Sequence, residues 1–153
     1  MEERKNNLEV GKSYPAVLID VRIVRDSIKD AYAVEFVYKV YLSLEQTETV
    51  IDTLYWWDLP NFKNFTIRDI NKLMEVYNLN LIPKDYRNEI SFVNACKWLI
   101  GTRVELSPYR YKNIRYKIVS TERNNHKKIN FLWKCLSNNN LSMFTKLLFE
   151  EWL

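Results

Sequence analysis

Residues 14–24, with the sequence YPAVLIDVRIV, alternate between apolar and other side chains with a period of two. Because successive side chains of a β-strand point to opposite faces of a sheet, this alternation predicts a strand of about ten residues. Asp20 and Arg22 are assigned to one face of this strand. The opposite, apolar face is assigned Pro15, Val17, Ile19, Val21 and Ile23.

Two more strands follow this one closely. The segment AYAVEFVYKVYLS, residues 31–43, comes after a polar turn. It places Glu35 and Lys39 on one face of the strand, and the opposite face is apolar. That face comprises Tyr32, Val34, Phe36, Tyr38, Val40 and Leu42. The third strand lies within TVIDTLYWW, residues 49–57, and its facing stays open because both alternating sets are largely apolar. Three strands with short connections predict an antiparallel meander.

A helical pattern replaces the strand pattern in FTIRDINKLMEVYNL, residues 65–79, where apolar side chains recur three and four residues apart. Thr66 is placed to cap this helix, and Asp69 stands at the capping-box position. A second helical run, ISFVNACKWLI at residues 90–100, is followed by Gly101, which suits a left-handed C-cap. The sequence therefore predicts a helical insert after the third strand.

Two strands are predicted after the insert, TRVELS at residues 102–107 and NIRYKIVS at residues 113–120, joined by a turn at PYRYK. This order of elements is that of the five-stranded OB-fold barrel, and also of other five-stranded barrels. We therefore predict a mainly β, α+β fold, with a five-stranded antiparallel OB-like barrel over residues 8–122. Residues 126–153 are predicted to form a helical C-terminal extension, broken at residues 138–140. Its apolar surface must pack on the barrel, on a second copy of the chain or on a partner.

Positive charge is concentrated in one segment of the sequence. The chain has a net charge of +4, whereas residues 103–128 alone hold eight basic and two acidic side chains. Three tyrosines are interleaved there with four cations: Tyr109, Tyr111 and Tyr116 with Arg110, Lys112, Arg115 and Lys117. Because cations neutralise phosphates and exposed rings stack on bases, this hairpin is a candidate site for an unpaired nucleic-acid strand. The alternative is a solvated sheet edge whose charges prevent edge-to-edge pairing.

Catalytic and cofactor-binding motifs are not found in the sequence. His126 is the single histidine and lies in a polar segment, and the two glycines, Gly11 and Gly101, cannot form a phosphate-binding loop. Carboxylates such as Asp52 and Asp58 could bind Mg²⁺ in a nuclease-like site, but their spacing matches no motif, which favours solvated charge. We predict a protein that is not an enzyme and uses no cofactor or metal.

The cellular location is predicted from the N-terminus and the cysteines. The sequence MEERKNNLEV lacks the apolar core of a signal peptide, and no stretch reaches the roughly 20 apolar residues of a membrane helix. Cys96 and Cys135 lie far apart in apolar helical runs, which indicates buried free thiols in a reducing compartment. The expectation is a cytoplasmic protein without a membrane segment.

Five segments of the chain form a pattern that extends over about residues 8–120. They are GKSYPAVLIDVRIV, YAVEFVYKVY, TVIDTLYWWD, IRDINKLMEVYNL and LIGTRVELSPYRYKNIRYKIV. A Gly-initiated strand, a strand with Glu-Phe between apolar residues, an aromatic third strand, a helix and a basic closing hairpin follow one another. In this pattern the chain resembles the single-stranded-DNA-binding OB-fold proteins of phages of Gram-positive bacteria.

This resemblance implies sequence-independent binding of single-stranded DNA in replication or recombination, within the host cytoplasm. It also implies a homo-oligomer and contacts with recombination or replication proteins. The implied DNA-binding positions are Lys39, Tyr41, Trp56, Trp57, Arg103, Tyr109, Arg110, Tyr111, Lys112, Arg115 and Lys117. The alternative function is a protein-interaction module or inhibitor that binds a protein partner through the barrel and the aromatic C-terminal extension.

Overall fold

A computed structural model describes residues 7–27, 31–55, 67–111 and 113–141 of the chain. Within these ranges lie five strands and three helices. They are β1 (Tyr14–Asp26), β2 (Ala31–Tyr41), β3 (Thr47–Tyr55), α1 (Ile67–Tyr77), α2 (Glu89–Cys96), β4 (Arg103–Tyr111), β5 (Asn113–Thr121) and α3 (His126–Ser137). Short 3₁₀ turns at Pro83–Tyr86 and Lys97–Leu99 flank α2.

The five strands form one antiparallel sheet in the order β3-β2-β1-β4-β5. β1 lies at the centre, where it pairs with β2 on one side and with β4 on the other. β3 and β5 are the two edges, and within the described ranges no backbone ladder joins them, so the sheet is open. The predicted α+β class, with five antiparallel strands and helices between the third and fourth of them, is confirmed.

A β-bulge at Ile19 changes the predicted facing of β1. In the pairing with β2 the register shifts between Leu18 and Asp20, which leaves Ile19 without an opposite residue. Leu18 is fully buried and Ile19 is exposed, yet Val21 beyond the bulge is buried again. The prediction that Ile19 and Val21 share one face is therefore wrong, because one inserted residue shifts the period-two alternation.

β4 and β5 form a longer hairpin than the sequence predicts. The turn was expected at residues 108–112, but β4 continues to Tyr111, β5 begins at Asn113, and Tyr109 pairs with Arg115 in the ladder. The pairing of β1 with β4 ends at Leu106. The predicted ring and cation positions therefore lie on the part of the hairpin that extends beyond β1.

The helical insert forms as predicted. α1 ends where Asn78 takes a left-handed φ of 50°, a conformation that asparagine tolerates better than most residues. α2 begins at the N-cap Asn88, whose side-chain oxygen accepts the backbone N–H of Ser91 at 2.8 Å. The chain then passes Gly101 at a φ of 96°, which confirms the predicted left-handed position. The predicted cap Thr66 lies outside the described residues.

The main core fills the sheet face that meets α1 and α2. Leu18 of β1, Ile70 of α1 and Phe92 of α2 are among its buried side chains. Burying an apolar side chain of this size stabilises a fold by about 1.5–3 kcal/mol. Cys96 is buried in the same core and Cys135 in a smaller cluster on α3, and both are free thiols, as predicted.

α3 packs on the other face of the sheet, against β1, β4 and β5. Val104 and Leu106 belong to the main core, so Glu105 between them points to the opposite face, where Lys128 of α3 meets it. The predicted extension thus begins with a helix that covers the sheet, and its second half, residues 142–153, lies outside the described ranges. No helix in the described part of the chain is long and apolar enough to cross a membrane.

Candidate functional site

An open groove of about 700 Å³ lies between the two edge strands, with α1 along one wall. We call it the edge groove. Its lining comes from β2, β3, α1, β4 and β5, so distant parts of the sequence meet in it. A volume of this size is within the usual range of small-molecule pockets.

The edge strands meet inside this groove at an ion pair between Asp52 of β3 and Arg115 of β5. Arg115 Nε donates to Asp52 Oδ1 at 2.6 Å, and Nη2 donates to Oδ2 at 3.0 Å. The backbone N–H of Tyr116 also approaches Oδ1, at 3.4 Å. The two side chains are only 12% and 10% exposed, so the pair is largely removed from water. It connects the two strands that the backbone ladder leaves apart.

The charge of Arg115 is stabilised by its partner. Burial alone lowers the pKa of Arg115, but the hydrogen bonds and the charge of Asp52 outweigh this effect, so the pKa lies above its ordinary value. Arg115 therefore stays protonated, and its charge is balanced by the Asp52 carboxylate. The sequence places Arg115 among cations that neutralise phosphates, whereas the structure buries its side chain at the junction of the two strands.

Aromatic side chains form much of the wall of the edge groove. Tyr109 and Tyr116 come from the β4–β5 hairpin, while Phe36, Tyr38 and Tyr77 come from the core side. The hydroxyls of Tyr38 and Tyr77 lie 3.4 Å apart, and burial raises the pKa of both phenols. The core-side phenols therefore stay neutral, and the groove offers flat apolar surface as well as charge.

Cations surround the mouth of the edge groove. Lys117 comes from β5, and Arg68 and Lys72 come from α1; all three are exposed. Asp69 of α1 also lines the groove, so its lining is cationic in balance but not uniformly so. Arg68 and Lys72 were not among the residues predicted from the sequence. Their spacing of four places them on one face of a helix, which is a signal that could have been read once α1 was predicted.

A second group of the predicted residues meets on the other face of the sheet, around Trp133 of α3. Lys39 Nζ lies 5.5 Å from the centre of the Tyr41 ring, and Tyr41 packs edge-to-face on Trp133 with ring centres 6.2 Å apart. Arg103 lies 5.4 Å from the centre of the Trp133 ring. These distances are in the range of attractive cation–π and aromatic contacts. We call these four residues the Trp133 cluster.

Arg103 is held in the Trp133 cluster by polar partners. Its Nε donates to Glu122 Oε2 at 2.9 Å, and its Nη2 donates to Asn130 Oδ1 at 2.7 Å. The row Lys39, Val17 and Arg103 crosses three neighbouring strands, which explains why residues so distant in sequence meet here. Trp133 belongs to the apolar surface of the predicted C-terminal extension, and its contact with the predicted site residues was not predicted.

The predicted site residues thus fall into two groups. Lys39, Tyr41 and Arg103 meet at the Trp133 cluster, and Tyr109, Arg115 and Lys117 meet at the edge groove. Arg110 is exposed on the same hairpin, where it pairs with Ile114 in the ladder, and Tyr111 is the last residue of β4. Trp56, Trp57 and Lys112 lie outside the described residues.

Metal-binding potential and similarity to known proteins add little to this picture. Within the described ranges, no three His, Cys, Asp or Glu side chains cluster in a way that could hold a metal ion. No protein-family model matches this chain, and no curated protein matches it significantly. The class of the molecule is therefore defined by its fold and site: an α+β protein with a five-stranded antiparallel sheet and a groove lined by rings and cations.

Proposed function

We propose that this chain is a single-stranded-DNA-binding protein rather than an enzyme, and that it uses the edge groove and the adjoining β4–β5 hairpin. The observation that carries the proposal is the lining of the edge groove, where rings of β4 and β5 meet cations of β5 and α1. An unpaired strand needs both, since rings stack on bases and cations neutralise phosphates. A cytoplasmic role in replication or recombination, as a homo-oligomer that contacts the proteins of those processes, belongs to the same proposal and rests on the resemblance.

An OB-like barrel is part of this proposal. Such a barrel joins β3 to β5 in a sheet of the order β3-β2-β1-β4-β5, and it often stays partly open. The strand order and the approach of the edge strands at Asp52 and Arg115 support it. The position of α1 and α2 between the third and fourth strands supports it as well.

The test is a fluorescence titration with an oligothymidine at several salt concentrations. Lys72 and Lys117 are exposed cations on two different walls of the edge groove, so the double variant Lys72→Ala/Lys117→Ala removes charge without opening the core. Each lost phosphate contact on a single strand should reduce the slope of log K against log salt by about 0.7, or about 1.4 for the pair. The matched control is Lys84→Ala/Lys97→Ala, two exposed lysines that are not part of the groove lining.

The two double variants carry the same change in net charge, so only the position of the charge differs between them. A reduced slope in the groove variant and an unchanged slope in the control support the proposal. Equal slopes in both variants contradict the groove as the binding surface. Absence of salt-dependent binding in the unaltered chain contradicts the function itself.

The Trp133 cluster is proposed as a second contact for the same strand. Lys39 and Arg103 flank its two rings, and a base that reaches the tryptophan should quench its emission. Trp133→Phe keeps a ring in place and removes that fluorophore. A quench that persists unchanged in Trp133→Phe shows that the strand does not contact the cluster.

A protein-interaction function is the second candidate, and one observation outside the groove favours it. Trp98, in the 3₁₀ turn after α2, is 83% exposed, and Ile90 and Ile100 nearby in the chain are exposed as well. Exposed tryptophan is enriched at protein interfaces. If this surface binds a second copy of the chain, Trp98→Ala should weaken self-association in sedimentation experiments while oligothymidine binding stays unchanged.

A further inference from the structure

Arg115 has a donor that its ion pair with Asp52 does not use. The side chain engages the carboxylate with Nε and Nη2, along one edge of the guanidinium. Nη1 is buried and has no hydrogen-bond partner among the described residues. Arg115 itself is 9% exposed and lines the edge groove. A buried donor without a partner is uncommon in folded proteins, because it has lost its hydrogen bonds to water without replacing them.

The shape of the guanidinium defines what this donor can recognise. With Nε and one N–H of Nη2 bound to Asp52, the adjacent edge presents Nη1 together with the second N–H of Nη2. This edge is a planar fork of two donors, and it fits a ligand with two neighbouring acceptors in one plane.

The charge balance argues against a phosphate as the main ligand of this fork. Asp52 already neutralises Arg115, so the pair offers an anion little net attraction. At the mouth, in contrast, three cations outnumber the one carboxylate of Asp69, and these are Arg68, Lys72 and Lys117. A neutral ligand with two acceptors avoids the repulsion between a phosphate and the Asp52 carboxylate. Nucleobases are such ligands, and the surrounding aromatic wall suits their flat faces.

We propose that the edge groove reads one guanine of a bound single strand, through the free fork of Arg115 and the O6 and N7 atoms of the base. Guanine O6 and N7 are the two coplanar acceptors that arginine forks contact most often in nucleic-acid recognition. Adenine presents a donor beside N7, and thymine presents a methyl group beside O4, so neither matches the fork. This inference rests on the proposed function and adds one sequence-reading position to an otherwise sequence-independent surface.

The groove has the dimensions for one nucleotide at this position. Its volume of about 700 Å³ exceeds that of a nucleotide, and Tyr109 and Tyr116 of the hairpin line it beside Arg115. Because Nη1 is shielded from water in the free protein, a flexible side chain of the groove wall must turn aside when the base enters. Lys117 has the length and exposure for this movement and comes from the same strand.

The first experiment changes only the ligand, so it does not depend on the folding of a variant. Oligothymidines with one central guanine, 7-deazaguanine, adenine or cytosine are bound to the unaltered chain at one salt concentration. We expect the guanine oligonucleotide to bind about fivefold or more tightly than the adenine one. Replacement by 7-deazaguanine, which lacks the N7 acceptor, should remove most of that difference.

The outcomes of this experiment separate the inference from the function on which it rests. Equal affinity for guanine and adenine, an unchanged affinity with 7-deazaguanine, or tighter binding of cytosine than of guanine overturns the inference, while the proposed function survives. Absence of binding to every oligonucleotide overturns both.

A variant then tests the role of Arg115. Arg115→Lys keeps a cation beside Asp52 but removes the fork, so the preference for guanine over adenine should disappear. The matched control is Arg22→Lys, which changes an arginine of an ion pair with Glu35 on the sheet face away from the groove. A guanine preference retained in Arg115→Lys, or lost in Arg22→Lys, contradicts the assignment. Circular dichroism of each variant confirms that it is folded, and the ligand series decides the question if Arg115→Lys is not.

Discussion

Two buried ion pairs differ in what surrounds them. Arg115 and Asp52 join the edge strands at an open groove, while Lys128 and Glu105 join α3 to β4 beneath a helix. Lys128 Nζ lies 2.7 Å from Glu105 Oε1, which also accepts the hydroxyl of Ser120 at 2.8 Å. Each pair leaves one buried atom without a partner in the described part of the chain, Nη1 in the first and Glu105 Oε2 in the second.

The difference lies in the access that each pair gives to its unpartnered atom. Glu105 is fully buried under α3 and does not line the edge groove, so its pair acts in packing. Arg115 lines the edge groove, where a ligand can approach its donor once a side chain of the groove wall turns aside. The same kind of ion pair thus fixes a helix at Glu105 and, as we propose, recognises a base at Arg115. Variants of the Lys128–Glu105 pair should therefore mainly lower stability, whereas variants of the Arg115–Asp52 pair should also change binding.

The largest loss of stability is expected from Lys128→Met. The variant keeps the apolar stem but leaves the Glu105 carboxylate buried without its cation, and breaking such a pair typically costs about 3–5 kcal/mol. Urea unfolding measures this loss. The double variant Glu105→Gln/Lys128→Met, in which no buried charge remains, should recover most of it. A loss below about 1 kcal/mol in the single variant contradicts a packing role for the pair.

A smaller loss is expected from Asp52→Asn at the edge groove. The amide oxygen can still accept one hydrogen bond from Arg115, and the groove admits water to the unbalanced guanidinium, so we expect about 1.5–3 kcal/mol. The control Glu45→Gln removes an exposed carboxylate and should leave the unfolding free energy unchanged. Oligothymidine binding should tighten, because removal of Asp52 leaves the positive charge of Arg115 unbalanced. A loss of stability as large as in Lys128→Met contradicts the distinction between the two pairs.

Burial of a cysteine should make the stability of the fold depend on pH in the alkaline range. Burial raises the pKa of Cys96 to about 12 from an ordinary value of 9.0, so the folded state holds this proton more tightly than the unfolded state does. Its stabilising contribution is complete below pH 9 and is lost as the pH rises toward 12, by about 1.4 kcal/mol per pH unit. Cys96→Ala should remove that part of the pH dependence. Tyr38 and Tyr77 act in the same direction above pH 10, because burial raises the pKa of both phenols.

Urea unfolding of the unaltered chain and of Cys96→Ala at pH 8 and pH 10 measures this effect. The matched variant is Cys135→Ala, since Cys135 lies in the smaller cluster on α3 and its pKa is also raised by burial. If the unfolding free energy falls by the same amount between pH 8 and pH 10 in Cys96→Ala and in the unaltered chain, Cys96 does not contribute to this fall.

Strand positions were predictable from sequence where local pattern decides them. The uninterrupted alternation of β2 gave the correct core face, with Val34, Phe36, Tyr38 and Val40 all buried. The bulge at Ile19 was not predictable, because nothing in the local sequence requires an inserted residue there. Local alternation describes a strand only while its register with the neighbouring strand is unbroken.

The candidate site was predictable in composition but not in arrangement. Charge and ring content identified the hairpin that carries Tyr109, Arg115 and Lys117. The partner of Arg115 is Asp52, which lies 63 residues away, and its pairing depends on the approach of two edge strands that no local pattern specifies. The contact of Tyr41 with Trp133 depends in the same way on where α3 packs.

The smallest effect is expected at an exposed ion pair, which serves as the reference for the two buried ones. Arg22 Nε lies 2.8 Å from Glu35 Oε1, but the Arg22 side chain is 45% exposed, so water competes for its guanidinium. Exposed pairs contribute about 0.2–1 kcal/mol, so Arg22→Ala should lower the unfolding free energy by less than about 1 kcal/mol, and by less again at high salt. Urea unfolding at low and at high salt measures the loss of unfolding free energy under each condition. If Arg22→Ala lowers the unfolding free energy as much as Asp52→Asn does, burial does not determine how much an ion pair stabilises this fold. The Arg115–Asp52 pair of the edge groove is then no different in energy from an exposed pair.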